Sequence, residues 1–127
     1  MSGKVLVVGN QVGEADFLAD RLRTKGYTVD VAYDIQGGFD MFGSTQHDLV
    51  ITDLPSTDGY PLLRRVKERA REVRAERSLH AIDISSTSIE EVDAALKAGA
   101  ASAYRKPYDI GVLMQRVDQL LDRSEDG

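Results

Sequence analysis

The sequence contains no cysteine and no tryptophan, and only two histidines and three prolines in 127 residues. Without cysteine there is neither a disulfide nor a thiolate metal site. His47 and His80 are too few for a multi-histidine metal centre, and each precedes a strand-like run, where a structural role at the surface is expected. No apolar run is long enough to cross a bilayer, and the N-terminus lacks the apolar core of a signal peptide. The expectation is a soluble cytoplasmic protein with no membrane partner. A net charge of −5 argues against nucleic-acid binding by this domain.

What is present is an ordinary globular composition, 42% hydrophobic and 29% charged, sized for one domain with one buried core. The charge is uneven. Residues 59–77, "GYPLLRRVKERAREVRAER", carry seven Arg or Lys against three Glu, so this stretch is +4 and the remainder −9. Glu68, Glu72 and Glu76 recur every four residues, flanked by cations, as on a solvated helix face. The alternative is a docking surface for an acidic partner.

Short β-rich runs at 4–8, 28–32, 48–52, 79–84 and 101–104 alternate with helix-period stretches. Most of these runs are apolar on consecutive positions, which suits strands covered on both faces of a parallel sheet. Leu18 and Leu22 share a helix face that Gly26 ends. Leu62, Leu63, Val66, Ala70 and Val73 form the apolar stripe of the charged helix. Thr87 or Ser88 caps the next helix, with Ile89, Val92, Ala95 and Leu96 expected to be buried and Gly99 as the stop. Asp109 caps the last helix, whose face is Ile110, Leu113, Met114, Val117, Leu120 and Leu121. Residues 35–43 are weakly helical, because Gly37 and Gly38 each cost about 1 kcal/mol against alanine. Five βα units in succession mean a doubly wound α/β sheet over residues 1–123, followed by a polar tail at 124–127.

Such sheets do their chemistry at the carboxyl ends of the strands. Strands one, three, four and five deliver Asn10, Asp53, Ser85 and Lys106 to that edge. The first strand ends in "VVGNQVG" (7–13), which poses a choice. It is either a glycine turn that cradles a phosphate or a corner of a different phosphate site. A dinucleotide loop needs G-x-G-x-x-G, and only Gly9 and Gly13 are present; no P-loop Gly-Lys-Ser/Thr follows. A nucleotide-binding α/β domain is therefore a remote alternative. No Ser-His-Asp, metal or paired-acid constellation supports an independent enzyme.

Four segments resemble the receiver domain of two-component response regulators. "DLVITD" (48–53) is similar to that family's third strand, which ends in the phospho-accepting aspartate. "ISS" (84–86) matches the end of its fourth strand. "AGAASAYRKPYD" (98–109) matches its Gly-Ala, fifth strand, Lys-Pro and start of helix five. "LADRLRTKGYTVDVA" (18–32) matches helix one and strand two. The resemblance implies a flavodoxin-like (CheY-like) fold, (βα)5, with strand order 2-1-3-4-5. It implies Asp53 as phospho-acceptor, Ser85 as switch hydroxyl and Lys106 as the cation that binds phosphoryl oxygens. It also implies histidine kinases and an output domain or effector as partners. The family's output face would include Lys97, Tyr104, Arg105 and Tyr108.

The departures from that family all fall at the site. Gly9 and Asn10 stand where two acidic residues bind Mg²⁺, and Gln11 follows. The loop after the acceptor, "DLPSTDG" (53–59), is shorter by two residues, with Pro55 where a backbone carbonyl binds the metal. Ala103 takes the aromatic switch position, with Tyr104 one place later on the other face. Mg²⁺ prefers anionic oxygens, so no cofactor is expected unless Asn10 and Asp53 alone suffice. Asp53 and Lys106 are then expected to neutralise each other. The reading is an atypical receiver that works by protein contact, with impaired or absent phosphorylation; a conventional receiver using Asp53 is the alternative. Asp83 interrupts strand four, and is expected either to pair with Arg105 or to lie at an exposed sheet edge.

Overall fold

Five apolar runs become five parallel strands: β1 (Lys4–Gly9), β2 (Thr28–Ala32), β3 (Leu49–Asp53), β4 (His80–Ser86) and β5 (Ser102–Arg105). Between and after them run α1 (Val12–Thr24), α2 (Ile35–Ser44), α3 (Ser56–Val73), α4 (Ile89–Ala98) and α5 (Ile110–Asp122). The strand order is β2-β1-β3-β4-β5. The structure is a computed structural model and describes residues 3–122; the tail expected at 124–127 lies outside them. None of the described helices is long and apolar enough to cross a membrane.

Side-chain alternation splits each strand between two helical layers. Val5, Val7, Leu49, Ile51, Ile82 and Ile84 pack with Leu18 and Leu22 of α1 and Leu113 and Val117 of α5. Leu6, Val8, Val50 and Ala81 pack with Phe42 of α2, Leu62, Leu63 and Val66 of α3, and Ala95 of α4. Both faces of the sheet are thus covered, which is why β1 and β3 read as apolar runs.

Local chemistry sets the helix ends. Gly99 closes α4 at φ +130°, where a Cβ would also meet the Lys67 Cβ at 2.9 Å, so only glycine fits. Ser88, not Thr87, caps α4 by accepting from the Glu91 N–H at 3.1 Å. Asp109 accepts from the N–H groups of Gly111 and Val112 at 2.8 and 3.1 Å, capping α5. The glycine-rich α2 forms because the Asp34 side chain caps it through the Gly37 N–H at 2.7 Å. Its Gly38 lies against β1, where a Cβ would stand 3.0 Å from Val8.

The charged helix α3 starts at Ser56, directly after Pro55. Arg65 pairs with Glu68 and Arg69 with Glu72 along its surface. Arg77, beyond its end, turns inward to donate to the His47 carbonyl oxygen at 2.6 Å. Part of the positive stretch is therefore committed within the chain.

Two expectations are corrected here. Ile89 and Leu96 of α4 are exposed, at 64% and 42%; they are seven residues apart and share a face, while small Ala95 and Ala98 meet the sheet layer. His47 is fully buried rather than at the surface. Its ring bonds Asp30 of β2 at 2.8 Å, which gives the polar side chain a reason to be inside. His80 is partly exposed.

Candidate functional site

Asp53 ends β3 beside Gly9, its register partner at the end of β1. Lys106 follows β5, and its backbone N–H donates to the Ser86 carbonyl oxygen at 2.8 Å, which fixes its base. Its Nζ stands 2.9 Å from Oδ1 and 3.1 Å from Oδ2 of Asp53. Glu14, in the first turn of α1, places Oε1 3.5 Å from the same ammonium. Asn10, Gln11, Asp53, Leu54, Pro55, Ser85 and Lys106 line an open cleft of about 220 Å³. The sheet edge therefore gathers Asn10, Asp53, Ser85 and Lys106 as the strand ends dictate. Gly9 lies inside β1 and Gly13 inside α1, so "GNQVG" does not form a glycine loop.

Burial pushes the Asp53 carboxyl above its ordinary range, and this outweighs the hydrogen bond and charge of Lys106. For Lys106, burial acts downward, but the hydrogen bond and charge of Asp53, with Glu14, carry it above the usual lysine value. The two shifts pull the pair in opposite directions: one partner resists ionising while the other holds its charge. Both fit an ammonium that is more exposed than the carboxylate it serves, with side chains 33% and 13% exposed.

The donor set does not suit Mg²⁺. Gly9 offers no side chain, and a Cβ there would be in ordinary contact with Asp53 and Ala15. Both oxygens of Asp53 already face Lys106. Asn10 is exposed and neutral. The cation between the Asp53 and Glu14 carboxylates is the lysine ammonium, and a hard dication would have to displace it.

Asp83 overturns both expectations made for it. It is 1% exposed, on an interior strand, and not at an edge. It does not pair with Arg105, which is exposed. Thr52 Oγ1 donates to Oδ1 at 3.1 Å, Ser85 Oγ to Oδ1 at 2.7 Å and Ser86 Oγ to Oδ2 at 2.9 Å. The physical reason is register. Thr52, Asp83 and Ala103 are neighbours across three strands, and a shift after Asp83 sets Arg105 opposite Ser86.

Ala103 packs toward the α2–α3–α4 layer and Tyr104 toward the α1–α5 layer, so the ring does lie on the other face. Lys97 is exposed and pairs with Asp93 at 3.0 Å. Tyr108 packs on the α1–α5 layer. It borders a groove of about 570 Å³ with Gly13, Glu14, Phe17, Lys106 and Pro107. Of the four residues expected on an output face, Lys97 lies in α4, Tyr104 and Arg105 in β5, and Tyr108 between β5 and α5.

Sequence reasoning missed Glu14, Thr52 and Ser86. Glu14 carried a usable signal, an acid one turn past the end of β1. Thr52 and Ser86 carried none, since hydroxyls next to a strand end are common and only the register reveals their shared partner.

The family of response regulator receiver domains matches residues 5–118. Response regulator ArlR of Staphylococcus aureus is 32% identical over 122 residues, covering 94% of this chain and 53% of the relative. The chain thus spans about half the length of the curated relatives it matches. The receiver domain of Francisella response regulator 1452 is 26% identical, with a TM-score of 0.80 and coverage of 96% and 98%. NtrX from Brucella abortus is also 26% identical, with a TM-score of 0.81, covering 98% of this chain and 27% of that one.

Proposed function

Since this chain belongs to the response regulator receiver domain family, we propose that it is an atypical receiver that signals through protein contacts, with phosphotransfer to Asp53 impaired or absent. The observation that carries this reading is the end of β1, where Gly9, the register partner of Asp53, has no side chain and Asn10 is exposed and neutral, so that Lys106, at 2.9 and 3.1 Å from the two Asp53 oxygens, is the cation that faces the carboxylate. A carboxylate attacks phosphorus with a free oxygen lone pair, and the approaching dianion must be screened. Here the screening cation is already bound to the nucleophile, and Gly9 and Asn10 supply no carboxylate to recruit a second one.

The partners are then signalling proteins: a histidine kinase, an output domain or an effector. They would read a surface, not a phosphorylation event, and the domain itself is no enzyme. The exposed Lys97 and Arg105 belong to the contact surface in this reading, with Tyr104 and Tyr108 at its border. Its place is the cytoplasm, where such partners occur.

The test is titration of the chain with acetyl phosphate, and separately with beryllofluoride, in the presence of Mg²⁺, followed by amide NMR and intact mass. The expected result is no added phosphoryl mass and no saturating shift at Asp53 or Ser85. Saturating shifts at both, with a mass gain lost in Asp53→Ala, would establish a conventional phospho-accepting receiver instead.

A further inference from the structure

Asp83 is a buried carboxylate with no cation paired to it among the described residues. A charge in such a place needs hydrogen-bond donors to persist. It has three, and two of them, Ser85 and Ser86, are the last residues of β4, directly before the turn that leads into α4. That turn is otherwise held at its far end: Glu91 accepts from the Thr87 N–H at 2.6 Å, and Ser88 caps the helix. The β4–β5 register shifts between Asp83 and Ser86, so the strand bends where the hydroxyls fold back on the carboxylate.

Ser85 lines the cleft as well as touching Asp83. It is thus the side chain through which a change at Asp53 would reach the turn, and its hydroxyl is already taken at 2.7 Å. On the far side of the turn, the Tyr60 hydroxyl of α3 donates to the Glu91 carbonyl oxygen at 3.2 Å, tying α4 to α3. Burial raises the Tyr60 phenol first, and the negative charge of Asp83 adds to it. Tyr60 and Ala103 pack on the same cluster.

We propose that Asp83 is an internal anchor that fixes the β4–α4 turn independently of the cleft, so that events at Asp53 are not passed to α4. This deepens the phosphorylation-independent reading and rests on it. In place of a phosphoryl group that comes and goes, a permanent carboxylate holds the turn hydroxyls.

The experiment uses the full chain and two variants, D83N and S86A; neither residue lines the cleft. D83N removes one accepting oxygen at nearly constant volume, and S86A removes one donor. Amide hydrogen exchange at residues 84–91 is expected to quicken about tenfold in both, with β1 and α5 unchanged. A second readout compares the chemical-shift changes caused by Asp53→Ala in the parent and in D83N. In the parent they should stop at Ser85 and Ser86; in D83N they should extend through α4. Should D83N fail to fold, S86A carries both readouts. Unchanged exchange at 84–91 in a folded variant would overturn the anchor. So would a rise spread evenly over the chain, or Asp53→Ala shifts that reach α4 equally with Asp83 intact. None of these readouts needs phosphate or metal. Phosphoryl transfer to the parent chain would therefore remove the proposed function separately from any result on the anchor.

Discussion

Lys106 stands between two carboxylates of unequal exposure, and its energetic role depends on the protonation of the more buried one. Asp53 has a raised pKa in the folded state because of burial. Its neutral form is favoured by folding, so the stability it contributes is complete below the ordinary carboxyl value and lost as pH rises through the raised one. Lys106 behaves as a cation gaining a partner: its contribution is present below the ordinary lysine value and lost only as pH climbs through its raised one. Lys106→Ala should therefore cost about 1 kcal/mol at neutral pH, a modest figure because the ammonium is partly solvated. The loss should shrink toward acid pH, where a protonated Asp53 needs no cation. Urea unfolding of both proteins from acid to neutral pH measures this; a loss independent of pH would remove the ion pair as its cause. At this scale the sequence was legible at the carboxyl ends of the strands, where Asp53 and Ser85 stand in the last positions of β3 and β4 and Lys106 directly follows β5. It was illegible at Asp83, whose partners are set by register between strands far apart in the chain, together with a bulge that no local pattern announces.

Helix α2 separates two roles that glycine plays within one element. Gly38 is required by packing, since a Cβ would approach both Val8 methyl groups at 3.0 and 3.2 Å. Gly43 faces open space, with nothing within 4 Å of an added Cβ. Gly43→Ala should stabilise the protein by about 0.5 kcal/mol, since it lies near the helix end and recovers only part of the glycine penalty. Gly38→Ala should destabilise it by about 1–2 kcal/mol, because overpacking against β1 exceeds the propensity gain. Chemical denaturation of the two variants checks the sign of each; equal effects would mean that propensity alone governs α2. The elements themselves were readable because the strands are short β-rich runs, most of them apolar on consecutive positions, and the helices between them keep their period. The face of α4 was not. Ile89 and Leu96 fit a helical stripe, but alanines allow α4 to lie close to β4 and β5, and the larger side chains are left on the outer surface.

Across the whole molecule, the cleft at the carboxyl ends of the strands has a counterpart at the opposite end. There the Tyr27 hydroxyl, leading into β2, donates to Asp118 of α5 at 2.6 Å, and Lys25 approaches the other oxygen of Asp118 at 2.8 Å. This ties the turn after α1 to the last helix across one face of the sheet. The alternation of β and α that made the fold readable says nothing about such ties, since Tyr27 and Asp118 are 91 positions apart. Burial pushes Asp118 upward, but the hydrogen bonds from Lys25 and Tyr27 and the lysine charge outweigh it, leaving its pKa lowered. Asp118 thus stabilises the fold above its ordinary carboxyl value and loses that contribution as pH falls through the lowered one, the reverse of Asp53. Asp118→Asn should cost about 1 kcal/mol or less at neutral pH, allowing for solvent screening of a partly exposed pair. The difference from the parent should close only in strong acid, whereas the Lys106→Ala difference closes at milder pH. Parallel unfolding curves across the acid range distinguish the two ends of the sheet. If both variants lost their deficit over the same pH interval, the opposite shifts assigned to Asp53 and Asp118 would be wrong. Two carboxylates of one chain, one held below its ordinary range by a tyrosine and a lysine and one lifted above it by burial, then report separately on the two ends of the domain.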